Sequence, residues 1–378
     1  MNRTHDIAIY APGSTDFYDE EGPSGGGAEL QASQVAGALA SHGFRVAHIV
    51  FPVAKLRRPE HPTLTVLQRQ PHAGSHRLPT PLVEVPRVWR ALADADASVY
   101  VFRGSSARFI VGVAFCTVKR RKLILSASND LDFIFDRADR SRWNMLSYRL
   151  GLRRVDAVVA QTDEQAELAR EGLGGGDVRV IKSFSPLPEL RRAGGEAFLW
   201  AGRLVDAKLP LRYVDLAAEV PEARFLMIAS PTNETPATLA EELHVAAVSV
   251  PNLELLEPLP REQMLALIGR SIAVVSTSRF EGLPNVFLEA WGRAVPALSL
   301  HLDPAGVIAR EGAGVFARGS WDQFVAGARS LAADPALRVE LGERGRAYVA
   351  RAHDPEEIGG RWVNVISEFV KPAVLASH

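Results

Sequence analysis

Cysteine is almost missing from this chain, because its 378 residues include a single one, Cys116, inside the apolar run Phe109–Val118. One cysteine forms no internal disulfide and no zinc site made of several thiolates. Charge of one sign is not in excess either, since 43 lysines and arginines are matched by 44 aspartates and glutamates. This balance argues against a protein that binds nucleic acid by neutralising many phosphates.

Long hydrophobic runs are missing as well. No apolar stretch approaches the roughly 20 residues that span a bilayer. The sequence passes from Met1–His5 directly into the strand-like Ile7–Ala11, without the pattern of a signal peptide. We therefore expect a soluble protein that acts in the cytoplasm. Its length exceeds what one compact core usually holds, so two domains are expected.

The pattern that is present is an alternation of short β-branched runs with longer helical segments, which predicts parallel sheets covered by helices. It stops at the polar stretch Ser185–Gly195 and restarts at Ala197. The segment Phe51–Pro86, rich in proline, histidine and arginine, is expected to be irregular. The predicted fold class is α/β, with two doubly wound, Rossmann-like domains facing across a cleft that binds ligands.

The predicted domain bounds follow from that interruption. Residues 1–187 are expected to form an N-terminal domain, and residues 188–352 a C-terminal domain. Residues 353–378 are expected to form a final helix that packs back toward the N-terminal domain.

The most specific pattern is the stretch 278–290, with the sequence SRFEGLPNVFLEA. A predicted strand, Ala273–Ser276, ends just before it, and the loop that follows contains Glu281 and Gly282. Glycine allows the backbone to approach a ligand closely. A helix is expected to begin with Pro284 near its first position, where the missing N–H costs nothing.

The start of that helix is expected to bind an anion. The amides of Asn285 and Val286 would point out of the helix at its positive end. Glu289 lies four residues past Asn285, about 6 Å further along the axis. This offset suits one carboxylate near a sugar, a second near ribose hydroxyls and a phosphate between them. An ordinary helix start with a nearby loop carboxylate is the alternative.

A second element is cationic. Gly202 and Arg203 follow the first predicted strand of the second half, Ala197–Ala201, and Lys208 comes five residues after Arg203. Two cations on a loop can neutralise a diphosphate without a metal. Two solvated loop charges are the alternative.

The two glutamates separated by seven residues, with Gly-Leu-Pro-Asn-Val between them, resemble the pattern of the retaining GT-B glycosyltransferases (group 1, family-4-like). The resemblance implies transfer of a sugar from a nucleotide-diphosphate donor to a glycan, lipid-linked or small-molecule acceptor, with retention, without a metal and without another cofactor. It makes Glu281, Arg203 and Lys208 the catalytic residues, with Glu281 on the donor sugar. It also assigns the acceptor side to the domain of residues 1–187 and nucleotide-sugar binding to the domain of residues 188–352. The donor-binding residues it implies are Gly202, Gly282, Leu283, Pro284, Asn285, Val286 and Glu289, the last on the ribose. The family usually has a glycine after the lysine, where this chain has Leu209-Pro210.

In the first half, Gly25-Gly26-Gly27 precedes a predicted helix and offers free amides at its start. The loop from Ala11 to Gly25 is too long for a dinucleotide fingerprint, and no acidic residue ends the second strand, so an NAD enzyme is not expected. The resemblance places these glycines on the N-terminal side of the cleft, and a glycine-rich hinge is the alternative.

Asn129 and Asp130 follow another predicted strand, at the point where many family members have a histidine. They are candidates for hydrogen bonds to a sugar, and an Asx-type turn is the alternative. Asp130 and Asp132 also form a D-x-D pattern, which leaves open a metal-dependent glycosyltransferase of another type. A catalytically inactive nucleotide-sugar-binding protein, or another enzyme of the same fold, remains open too.

A basic stretch completes the candidates. Lys119–Lys122 and Arg137–Arg154 bring many cations into the first domain, with apolar side chains among them. Such a face is able to contact anionic lipid, and solvated helix charges are the alternative. The expected partners are thus a nucleotide-sugar donor, an unidentified acceptor and a membrane surface, but not nucleic acid.

Overall fold

The structure is a computed structural model that describes residues 3–20, 26–69, 80–104, 106–135, 142–189, 195–232 and 235–372. The chain forms two compact units. Unit 1 comprises Met1–Phe184 together with Pro355–His378, and unit 2 comprises Ser185–Asp354.

Unit 1 contains a seven-stranded parallel sheet. Its strands are β1 (His5–Tyr10), β2 (Val46–Val50), β3 (Leu64–Gln68), β4 (Ala97–Arg103), β5 (Lys122–Ser126), β6 (Ala157–Ala160) and β7 (Val178–Val180). They lie in the order β3-β2-β1-β4-β5-β6-β7. The helices that follow the strands are α1 (Gly27–Ser41), α2 (Thr80–Ala95), α3 (Ala107–Lys119), α4 (Arg142–Leu152) and α5 (Asp163–Leu173).

Helices cover both faces of this sheet, and each face carries its own cluster of buried apolar side chains. Every residue of β1 is buried. The last helix of the chain, Pro355–Ser367, packs on the same face as α1, where Trp362 is 3% exposed. Gly359 permits this close packing, because a Cβ at that position would lie 3.3 Å from the Cβ of Ala38.

Unit 2 contains a six-stranded parallel sheet. Its strands are β8 (Ala197–Arg203), β9 (Phe225–Ser230), β10 (Leu253–Leu256), β11 (Ser271–Ser276), β12 (Ala297–Ser299) and β13 (Gly314–Phe316). They lie in the order β10-β9-β8-β11-β12-β13. The helices of unit 2 are α6 (Pro210–Glu219), α7 (Ala237–Val248), α8 (Arg261–Gly269), α9 (Asn285–Gly292), α10 (Val307–Glu311), α11 (Trp321–Ala333) and α12 (Pro335–Ala352). The last helix of the chain, Pro355–Ser367 in unit 1, is α13.

In each unit the strand order reverses at one place, between β1 and β4 in unit 1 and between β8 and β11 in unit 2. Ligands of doubly wound sheets bind at such a reversal, beyond the carboxyl ends of the strands. The loops after β8 and β11 contain the predicted cationic and acidic elements. The predicted fold class, two doubly wound α/β units, is confirmed, and the sheet order sets these two elements side by side.

One local prediction is wrong. Phe51–Pro86 is not irregular throughout, because β3 pairs in parallel with β2 and α2 begins at Thr80. Pro284 lies at the start of α9 as expected, where it is the N-cap residue and Asn285 is the first residue of the helix. Within the described part of the chain, no helix combines the length and the apolar character needed to cross a bilayer.

Candidate active site

The loop after β8 folds its lysine back over the end of the strand. Lys208 closes a short 3-10 turn, Asp206–Lys208. A Cβ at Gly202 would lie 3.1 Å from the Nζ of Lys208, so a glycine at this position leaves room for the ammonium. Arg203, the last residue of β8, is exposed.

The ammonium of Lys208 donates a hydrogen bond to Oε1 of Glu281 on the loop after β11. The two side chains are only 15% and 25% exposed, so this ion pair is half-buried. The structure therefore joins two of the predicted catalytic residues, from loops that follow neighbouring strands.

Buried hydrogen bonds hold these two loops in register. The hydroxyl of Thr277 donates to the carbonyl of Lys208 at 2.7 Å, and Nε1 of Trp200 donates to that hydroxyl at 3.1 Å. The amide of Arg279 donates to the carbonyl of Ala207 at 3.0 Å. Because Thr277 is fully buried, this link is rigid and fixes where Lys208 meets Glu281.

Leu209 replaces the glycine that the family resemblance implies after the lysine. Its φ of 47° and ψ of 55° lie in the left-handed region, which glycine adopts without strain. For leucine this conformation costs roughly 1–2 kcal/mol. The backbone at Leu209 therefore has the conformation that a glycine would readily adopt there, and Pro210 follows as the first residue of α6.

The start of α9 lies directly after the loop of Glu281. Leu283 and Pro284 are buried and anchor it, whereas Gly282, Asn285 and Val286 are half-buried. The first amides of a helix have no partner within the helix, and they carry its positive end. The first turn of α9 therefore presents the positive end of the helix near the carboxyl end of β11.

Glu289, the second glutamate of the motif, is held by cations. Nη2 of Arg261 donates to its Oε1 at 2.8 Å, and Nη1 of Arg293 donates to its main-chain carbonyl at 3.1 Å. Burial lowers the pKa of Arg293, and the nearby charges of Arg261 and Arg346 lower it further. The sequence analysis missed Arg261, since no spacing links it to the motif.

In unit 1, the predicted Gly25 lies outside the described residues. Gly26 is the N-cap of α1, and Gly27 is its first residue. The carboxylate of Glu29 folds back over this start, because its Oε2 would lie 2.5 Å from a Cβ at Gly26 and its Oε1 3.0 Å from a Cβ at Gly13. These glycines leave space for that carboxylate at the end of β1.

Asn129 and Asp130 begin a short turn after β5, and Asp132 closes it. The Asp132 carboxylate is buried and accepts from Ser128 N at 2.7 Å, Ser128 Oγ at 3.0 Å and Asn129 N at 3.3 Å. It therefore caps the turn. Burial raises the pKa of Asp130. Across the described ranges, no cluster of three or more histidines, cysteines or carboxylates is arranged to hold a metal ion.

Arg103 is a second residue that the sequence analysis missed. It ends β4 opposite Ser126 of β5, and its Nη1 donates to the Ser126 hydroxyl at 2.7 Å. Its Nε is shielded from solvent and has no hydrogen-bond partner. Burial lowers the pKa of Arg103 to about 10, against the opposing influence of Asp132 and Glu29. These contacts form a polar cluster at the carboxyl edge of the unit 1 sheet.

The chain is similar to known proteins in both units. Residues 26–182 match the model of the glycosyl transferase 4-like domain, and residues 188–348 match that of glycosyl transferases group 1. Sucrose-phosphate synthase from Thermosynechococcus elongatus superposes with a TM-score of 0.78 at 17% identity, over 99% of this chain and 100% of its own.

Two further solved structures are similar. HepE from Anabaena in complex with UDP-glucose gives a TM-score of 0.73 at 14% identity, over 96% of this chain and 100% of its own. A glycosyltransferase from Rickettsia africae gives 0.68 at 11% identity, over 99% of this chain and 100% of its own. At these identities the structural likeness shows the fold, which is the GT-B fold of two Rossmann-like domains.

Proposed function

Because the chain belongs to the glycosyl transferases group 1 family, we propose that it moves a sugar from a nucleotide-diphosphate donor with retention at the anomeric carbon and without a metal ion. The observation that carries this proposal is the contact of Lys208 with Glu281 at the carboxyl edge of the unit 2 sheet, beside the start of α9. A cation, a carboxylate and the positive end of a helix there match the groups of a sugar diphosphate.

Each group has a role in the proposed reaction. Negative charge grows on the diphosphate as the glycosidic bond breaks, and Arg203, Lys208 and the first amides of α9 stabilise it. Glu281 accepts a hydrogen bond from a hydroxyl of the sugar, and Glu289 accepts one from the ribose. Lys208 donates to Glu281, so a diphosphate that binds this ammonium would compete with the carboxylate and leave Glu281 for the sugar.

The donor to test first is a UDP-sugar. HepE from Anabaena was solved with UDP-glucose, and that ligand belongs to a protein of the same fold. The acceptor side of the reaction is assigned to unit 1, with Gly26, Gly27, Asn129 and Asp130 near the acceptor, and this placement rests on the family resemblance. The reaction is proposed to take place in the cytoplasm.

The proposal is tested by donor turnover. We expect the protein to hydrolyse or transfer from one of UDP-glucose, GDP-mannose and ADP-glucose, and to retain its rate in EDTA. Asp132 already caps the turn after β5 through hydrogen bonds from Ser128 and Asn129, which leaves it poorly suited to a cation. Loss of turnover in EDTA, restored by Mg²⁺ or Mn²⁺, would favour the hypothesis that Asp130 and Asp132 bind a metal ion. Tight nucleotide binding without turnover would favour an inactive binding protein.

We propose in addition that unit 1 contacts anionic membrane. On α4, Leu146 is 49% exposed and Leu150 52% exposed, and Arg149 and Arg153 are exposed beside them. Val118 on the neighbouring α3 is 66% exposed. Apolar side chains among cations suit a bilayer surface that carries negative charge. Residues 137–141 of the basic stretch lie outside the described residues.

This contact predicts binding to vesicles. The protein is expected to sediment with phosphatidylglycerol vesicles but not with phosphatidylcholine vesicles, and the double variant Leu146→Asp/Leu150→Asp is expected to lose at least about tenfold of that binding. Val245→Asp is the matched control, because Val245 is 64% exposed on α7 of unit 2. Equal binding by the double variant would rule out this surface.

A further inference from the structure

We infer that Arg261 is a positioning residue that fixes Glu289 for the ribose and thereby makes the donor site prefer ribonucleotides over 2′-deoxyribonucleotides. This inference rests on the proposed function, and it adds a residue that neither the motif nor the family resemblance assigns. Arg261 is the first residue of α8, and Glu289 lies 28 positions later on α9.

The geometry leaves half of the Glu289 carboxylate for a ligand. Nη2 of Arg261 donates to Oε1 at 2.8 Å, and the two side chains are 32% and 15% exposed. A carboxylate has about four lone-pair sites on its two oxygens, so Oε2 can still accept from a hydroxyl. An ionised acceptor held in one orientation binds that hydroxyl more strongly than a neutral or mobile group does.

The position of Arg261 is otherwise unfavourable. A cation in the first turn of a helix lies at the positive end of the helix dipole. Arg261 occupies that place on α8, and the charges of both Arg261 and Arg346 act on the half-buried Arg293 next to Glu289. The energetics of α8 itself therefore do not explain why an arginine stands at its first position, whereas the ion pair that orients Glu289 does.

Arg261 acts through Glu289 and not on the reacting sugar. Without the guanidinium, the glutamate side chain regains its rotamer freedom, and ordering it again on donor binding costs affinity. The loss appears in recognition of the ribose and not in the chemical step. The KM for the donor is therefore expected to rise while kcat is kept.

The experiment compares nucleotide binding by the wild type, Arg261→Met, Arg261→Lys and Arg270→Gln. Methionine keeps the length of the side chain and removes its donors. Arg270 ends the same helix in an exposed pair with Glu196, and is the matched control. UDP, GDP and ADP are screened first, and the one that binds best is titrated by calorimetry together with its 2′-deoxy form.

The wild type is expected to prefer the ribose form by about tenfold or more, as a hydrogen bond to a charged group predicts. Arg261→Met is expected to bind the ribose form about tenfold more weakly than the wild type does, and to bind the deoxy form with unchanged affinity. Arg261→Lys is expected to recover part of the preference for the ribose form. Arg270→Gln is expected to behave as the wild type.

Three results would overturn the inference. The first is an unchanged preference in Arg261→Met, and the second is an equal loss for both forms of the nucleotide, which would place Arg261 on the phosphate or base. The third is a wild type that binds none of the three nucleotides, which would also remove the proposed function. The first two leave the proposed function intact, so the two failures are distinguishable.

Discussion

Changing Glu281 to glutamine is expected to lower donor turnover by about 100- to 1,000-fold, the usual effect of removing one group that stabilises a transition state. Glutamine has nearly the same shape, so it leaves no cavity, but it removes the charge that faces Lys208. Nucleotide diphosphate binding is therefore expected to stay the same or to tighten, because Lys208 no longer has to leave a carboxylate. Single-turnover kinetics and calorimetry separate these two effects.

The control for this variant is Glu254→Gln. Glu254 lies in the same unit and pairs with Arg224 at 2.6 Å, but both side chains are at least half exposed, and such pairs contribute little. Normal turnover in Glu281→Gln would place the reaction elsewhere. An equal fall in turnover and in nucleotide affinity would make Glu281 a binding residue for the whole donor.

The local parts of the site could be predicted from the sequence. A strand, a glycine-containing loop and a helix start are fixed by neighbouring residues, and the seven-residue spacing of Glu281 and Glu289 is visible without a structure. Parallel strands with helices between them follow from the alternation of apolar patterns. The doubly wound fold class could therefore be predicted from short-range sequence patterns.

The contacts of those glutamates could not be predicted, because they depend on sheet order. Lys208 and Glu281 are 73 positions apart, and they meet because β8 lies beside β11. Arg261 reaches Glu289 because α8 lies beside α9. No periodicity in the sequence encodes either neighbour relation.

The missed strand β3 has a similar cause. Leu64–Gln68 has five residues, only its first is buried, and it forms the edge of the sheet. Proline and histidine around it conceal the alternation on which a strand prediction depends. Its parallel pairing with β2, and not its own pattern, makes it a strand.

Changing Lys208 to methionine is expected to lower kcat/KM for the donor by about 100- to 1,000-fold. The leaving diphosphate loses the hydrogen bond from the ammonium, and such a charge-assisted hydrogen bond is strong in a half-buried site. Affinity for the nucleoside diphosphate should fall, and affinity for the monophosphate should change much less. Arg224→Met, an exposed cation of the same unit, is the control. Equal losses for both nucleotides would show that Lys208 does not face the diphosphate.

The double variant Lys208→Met/Glu281→Gln tests whether the two residues act as one unit. Each single change leaves the other partner in a half-buried place without its counter-charge, and the double change removes both charges together. The two losses in kcat/KM are therefore expected to be less than additive, with a coupling of about 1 kcal/mol or more. Strict additivity would mean that the ion pair is incidental, and that Lys208 and Glu281 meet the donor independently.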